Sequence, residues 1–143
     1  MLCFQTTAAT LVDLIINHPD VRPTVERGDH KLSSLELLTD HRNICYAGEG
    51  GCALFIWKGE GTYEGHVFLL PGSRGASGLA FGKCALEALF ARENVRRVIS
   101  DVPLELPAAR MYVRRLGFYS KGRHPELPVE MFVLETPDGA FVQ

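Results

Sequence analysis

Leu79, Gly82, Ala85, Leu86, Leu89 and Phe90 recur at the spacing of one helical face. That stripe predicts a helix beginning at Gly78. A shorter stripe, Leu11, Leu14 and Ile15, predicts a helix over Thr10–Asn17 with Thr7 as its N-cap. His18-Pro19 ends it, because the residue before a proline is pushed away from helical dihedrals. Strand-like runs fill much of the remainder: Leu2–Gln5, Asn43–Ala47, Cys52–Lys58 and Thr62–Leu70. The turns Gly48-Glu49-Gly50-Gly51 and Gly59-Glu60-Gly61 separate the last three, which reads as an antiparallel meander.

Arg97–Ser100, ending at Asp101, is the next strand. With Thr62–Leu70 and the long helix between them it makes a βαβ unit, whose strands run parallel. Pro107 opens a helix over Ala108–Leu116 and Gly117 closes it. Phe118–Ser120 and Val129–Glu135 are the final strands, and Ser33–Leu38 is a short helix in the otherwise weakly patterned Val21–Asp40. The predicted class is α/β of the α+β kind. It has a single mixed, mostly antiparallel sheet with a central βαβ unit, in one domain over residues 1–143.

Composition narrows the function. A chain of 143 residues suits one core. Lys and Arg total 15 against 17 Asp and Glu, a net charge of -2, which argues against a nucleic-acid coat and a polybasic membrane contact. The apolar runs fall short of the ~20 residues a membrane span needs. MLCFQTTAAT lacks the basic-then-apolar order of a signal peptide, so a cytoplasmic location is expected. Cys3, Cys45, Cys52 and Cys84 show no CxxC pair and no metal-ligand spacing. They read as buried thiols of a reducing compartment, with no metal site. Trp57, the only tryptophan, is expected in the core.

The chemistry concentrates around Pro71-Gly72-Ser73-Arg74-Gly75-Ala76-Ser77-Gly78-Leu79-Ala80, a Gly/Ser loop between a strand and a helix. Backbone N–H groups at a helix start lack partners, and the helix dipole adds positive potential there. Gly75 and Gly78 would let the backbone approach a phosphate, and Arg74 could add a charge-assisted contact; a plain solvent turn is the alternative. Glu64 and His66, two apart on a strand, share a face and are candidate bases for an amine, His66 directly or Glu64 through water. That face could equally be the sheet's outer surface. Arg110 and Arg114 form a basic stripe at helical i,i+4 spacing that could meet a nucleotide phosphate, although such a stripe is commonly a solvated face.

The loop, its position after the meander and Ala109-Arg110-Met111-Tyr112-Val113-Arg114-Arg115-Leu116-Gly117-Phe118 together resemble the GNAT superfamily of acyl-CoA N-acyltransferases. SRGASGLA is similar to that family's R/Q-x-x-G-x-G/A loop, with one residue more between Arg74 and Gly78. Asn17-His18-Pro19-Asp20-Val21-Arg22-Pro23 and Val102-Pro103 look like small phage-encoded members. The resemblance implies acetyl-CoA as cofactor, its pyrophosphate on Arg74, Gly75, Ala76, Ser77, Gly78, Leu79 and Ala80. The pantetheine arm would run between splayed parallel strands past Phe68, Leu69 and Leu70, with a bulge at Gly65 starting the splay. A tyrosine of the last helix often protonates the leaving sulfur in the family. That slot falls on Val113, leaving its neighbour Tyr112 as the candidate acid or as a packing residue, and Leu106 takes the place of a frequent asparagine. The implied activity is N-acetylation of a primary amine on a small molecule or protein, with a homodimer left open. A catalytically silent GNAT-like binding or assembly module, for example of a phage, is the alternative.

Overall fold

A computed structural model describes residues 2–25 and 30–135, so residues 26–29 of the weakly patterned segment lie outside the description. Among the described residues, seven strands form one sheet in the order β1-β2-β3-β4-β5-β7-β6. They are β1 (Phe4–Gln5), β2 (Ile44–Gly48), β3 (Gly51–Gly59), β4 (Thr62–Leu69), β5 (Arg97–Pro103), β6 (Tyr119–Arg123) and β7 (Val129–Glu135). Every neighbouring pair is antiparallel except β4–β5, which is parallel. The expected mixed sheet with its central βαβ unit is what forms.

The helices are α1 (Ala9–Ile16), α2 (Arg22–Val25), α3 (Leu35–Thr39), α4 (Ala76–Phe90) and α5 (Pro107–Arg115). Several boundaries differ from the sequence pattern for local reasons. Ala8, not Thr7, is the N-cap of α1, and the Ala8 amide is held by the Thr6 hydroxyl at 3.0 Å. Leu14 is 71% exposed, because the buried face of α1 is carried by Val12, Ile15 and Ile16. α4 starts at Ala76, two residues before Gly78, so much of the expected loop is already helix. β5 runs on to Pro103 because β7 pairs with its whole length. Trp57 stands at the sheet margin rather than in the core, 37% exposed, with the Arg42 guanidinium 4.6 Å from its ring centre.

Both faces of the sheet are covered. On one, Phe81, Ala85, Leu89 and Phe90 of α4 pack against Phe55, Val98 and Phe132. On the other, Val12, Ile15 and Ile16 of α1 meet Cys45, Cys52 and Leu54. Two covered faces explain why β3 is buried continuously from Gly51 to Phe55 instead of alternating.

A buried carboxylate fixes α5 to the far edge of the sheet. Arg114 Nη2 donates to Glu130 Oε2 at 2.8 Å, Arg110 Nη1 reaches Oε1 at 3.5 Å, and the Ser120 hydroxyl donates to Oε2. The basic stripe is thus a structural clasp, although Arg114 itself remains exposed to solvent. Its guanidinium at position 114 also lies 5.2 Å from the Phe132 ring centre. The Ser120 hydroxyl first, then Arg114 and Arg110, hold the Glu130 carboxyl below its ordinary value of 4.5. A lowered folded-state pKa contributes stability above the unfolded pKa and loses it as pH falls through the folded one. Glu130→Gln is therefore expected to lower Tm at neutral pH, and the gap from wild type should close as pH falls below 4.5. Melting curves of both proteins across that range check it; a gap independent of pH would contradict the clasp.

Candidate functional site

The parallel pairing of β4 with β5 lasts only for Thr62–Arg97, Tyr63–Val98 and Glu64–Ile99. Beyond that point β4 keeps its ladder with β3 as far as Leu69, and β5 keeps its ladder with β7 as far as Pro103. The facing edges of both strands therefore carry N–H and C=O groups without a ladder partner, and such groups need one. Gly65 stands where the strands part. A Cβ there would lie 2.9 Å from Val98 Cγ1 and 3.3 Å from Phe55 Cε1. The bulge expected at Gly65 is absent: Gly65 pairs in step with Phe55, and the register shift of β3–β4 falls between Trp57 and Gly59. Close packing on β5 and Phe55, not extra chain, is what the glycine provides.

The gap opens into a cavity of about 150 Å³. Thr24, His66 and Phe68 line it from the α1 side of the sheet, and Leu86, Val113 and Leu116 from the α4 side. The space thus reaches both faces through the sheet. Leu106 and Tyr112 also line it.

At the open end of β4 the chain turns through Pro71–Ser73 into α4. Gly75 is the N-cap, at φ +103° and ψ −142°, a conformation L side chains rarely adopt, and no side chain caps the helix. The first-turn amides of Ala76, Ser77 and Gly78 have no intrahelical acceptor, which leaves an electropositive end. Gly78 is enforced by sterics: a Cβ would sit 2.3 Å from the Ser73 carbonyl oxygen. Arg74 folds back on the protein, Nε donating to Leu69 O at 3.2 Å and Nη2 to Asp20 O at 2.9 Å. It braces the loop against β4 and the turn after α1. Phe68 and Leu70 pack toward α1, and Leu69 toward α4. Leu79 and Ala80 belong to the first turns of α4.

Glu64 and His66 do share a face, and it is the α1 face, since His66 stacks on Phe68 at 6.2 Å between ring centres. Glu64 Oε1 and His66 Nε2 are 2.6 Å apart, and Lys58 Nζ lies 3.6 Å from the other Glu64 oxygen. The hydrogen bond to His66 is the chief cause holding the Glu64 carboxyl below its usual range. Asp101 is a lining residue that the motif search missed. Strand parity points to it: Ile99 pairs with Glu64, and Asp101 is two residues farther along the same strand.

Tyr112 has a defined role in packing. Its hydroxyl donates to Gly78 O at 2.7 Å, and burial pushes its pKa up to about 12. A Cβ on Gly82 would meet that hydroxyl at 2.2 Å. The missing side chain at Gly82 thus admits the phenol, whose bond to Gly78 O ties α5 to the first turn of α4. Val113, the next residue on α5, lines the cavity as well.

No protein-family model matches the sequence, and no curated protein matches it. The fold, however, is shared with solved acetyltransferases. Spermidine N-acetyltransferase from Vibrio cholerae, in complex with CoA and spermine, superposes with a TM-score of 0.72 at 14% identity, covering 94% of this chain and 95% of that one. The aminoglycoside acetyltransferase AAC(6')-Ib, in complex with coenzyme A and kanamycin, gives 0.71 at 15% identity over 93% and 94%. The protein yncA from Salmonella typhimurium, solved with its cofactor acetyl-CoA, gives 0.71 at 14% identity over 98% and 97%. At these identities the likeness establishes the fold, that of the acetyltransferases.

Proposed function

We propose that this chain is an acetyl-CoA-dependent N-acetyltransferase acting on a primary amine. The observation that carries the reading is the parting of β4 from β5 after Glu64, which opens a cavity reaching both faces beside an uncapped helix start. The residues present fit the cofactor. Unpaired strand edges suit the amides of a pantetheine arm, and the amides of Ala76, Ser77 and Gly78 suit a pyrophosphate. Gly75 has nothing within 4 Å of where its Cβ would stand, leaving the approach open. Bound acetyl-CoA would supply the activated acetyl thioester.

On the α1 face, Glu64 accepts the Nε2–H of His66, which leaves the Nδ1 lone pair to take a proton from the amine nitrogen. Lys58 holds the second Glu64 oxygen, so the carboxylate stays fixed. Asp101 lines the cavity and Glu64 adds negative charge behind the lining His66, which suits a polycationic amine such as those bound by the structural relatives. Tyr112 is the lining phenol that could give a proton to the leaving thiolate of bound acetyl-CoA, but its proton already serves Gly78 O. That commitment is the observation favouring the second reading, a catalytically silent module of the same fold.

A thermal-shift titration decides whether cofactor binds. Ligand at about 100 times its Kd should stabilise the native state by ~2.7 kcal/mol, which raises Tm by roughly 5–12 °C in a chain of this size. A rise with acetyl-CoA and CoA, followed by thiol release with spermine or kanamycin, is the expected result. A rise without turnover on any amine favours the silent module. No rise at millimolar cofactor would overturn the enzyme reading and leave the silent module.

A further inference from the structure

Cys3 lies just before β1 and Cys84 on α4, 81 residues apart in sequence, yet their sulfurs are 2.6 Å apart. We propose that this pair is an oxidisable dithiol, which a low-molecular-weight disulfide such as oxidised glutathione converts to an intramolecular Cys3–Cys84 disulfide. Closing the remaining gap to an S–S bond of ~2.05 Å takes about half an ångström. The inference stands apart from the acetyltransferase reading, since neither thiol lines the cavity.

Cys84 is half-buried, whereas Cys3 is only 7% exposed. Cys84 thus reacts first. It gives its proton to solvent, and its sulfur attacks one sulfur of glutathione disulfide, breaking that bond and releasing one glutathione thiolate. Cys3 then gives up its proton and attacks the Cys84 sulfur, expelling the second glutathione. Two protein thiols are oxidised and one glutathione disulfide is reduced to two thiols. The order agrees with the state of Cys3, whose pKa is pushed up to about 12 by burial and then by its hydrogen bond with Cys84. That hydrogen bond is gone once Cys84 carries glutathione.

The consequence falls on the sheet edge. β1 pairs with β2 at just two positions, Phe4–Ala47 and Gln5–Tyr46, and the Thr6 amide beyond them donates to Cys45 O at 2.9 Å. A bond from Cys3 to α4 fastens this edge and closes a long loop, the condition in which a cross-link most restricts the unfolded chain. Cys45 and Cys52 serve as internal controls. Both are buried beneath α1, at 1% and 0% exposure, and so are shielded from glutathione.

The test incubates the native full-length protein with oxidised glutathione, alkylates the remaining thiols after unfolding, and maps the peptides by mass. Two hydrogens should be lost, the Cys3 and Cys84 peptides should be joined, Cys45 and Cys52 should be alkylated, and Tm should rise by at least about 5 °C. Glutathione remaining on Cys84, four alkylated cysteines, or a bridge through Cys45 or Cys52 would overturn the proposal. Cys3→Ser should stop at the mixed disulfide. If that variant does not fold, the wild-type peptide map decides alone.

Discussion

Gly78→Ala is expected to weaken acetyl-CoA binding at least tenfold, although alanine is the better helix former. The two effects have comparable size and opposite sign. Replacing a helical glycine gains about 1 kcal/mol of propensity. The new Cβ would stand 2.3 Å from the Ser73 carbonyl oxygen and 2.7 Å from Leu69 Cδ1. The first of these is backbone and cannot rotate away, so the Pro71–Gly75 turn must move, at an overpacking cost of about 1–3 kcal/mol. A tenfold loss in affinity corresponds to about 1.4 kcal/mol, within that range. Gly75→Ala is the informative contrast. Nothing lies within 4 Å of its would-be Cβ, and the penalty comes only from φ +103°. Gly75→Ala should thus strain the backbone by about 1–3 kcal/mol without a clash. Calorimetric titration of the cofactor into both variants separates space from strain. Wild-type affinity in Gly78→Ala would show that this turn does not hold the cofactor.

The long helical stripe was legible because its period persists from Leu79 to Phe90, most of the helix, and its neighbours in sequence are its neighbours on the face. The same holds for Glu64 and His66, where strand parity alone sets them side by side. Which layer that face meets was not legible, since parity fixes sameness of side and not identity of side. Contacts between distant elements were the chief omissions. The hydroxyl of Tyr112 reaches across 34 positions to Gly78, Arg114 across 16 to Glu130, and Cys84 across 81 to Cys3. Each depends on how helices settle on the sheet, which no local pattern encodes. The motif reading placed Arg74 toward a phosphate because a loop arginine looks free in sequence. In the fold, Nε and Nη2 each donate to a backbone carbonyl, which engages two of its five N–H groups. Leu14 shows a smaller version of the same effect. Its spacing fits an apolar stripe, yet the packing of α1 centres on Val12 and Ile16.

His66→Ala is expected to lower kcat by ~10²–10⁴ with little change in KM for acetyl-CoA, the range for losing a general base. The geometry further predicts how Glu64 enters. If the carboxylate acts by holding His66 Nε2–H, then Glu64→Gln costs less than His66→Ala, because the amide can still accept that proton through its oxygen. The double variant should then be no slower than His66→Ala alone, since residues acting as a unit are not additive. If Glu64 instead acts independently through water, the two losses should multiply. Thiol release from acetyl-CoA with spermine or kanamycin gives the rates. The pH dependence adds a second readout. His66 lowers the Glu64 pKa, so the carboxylate keeps its charge below the usual glutamate range and the pair persists into mild acid. As pH falls through that lowered value, Glu64 takes up a proton and its hold on His66 is lost. Full activity in His66→Ala would remove His66 from the mechanism and leave Glu64 or Asp101 as the group that receives the amine proton.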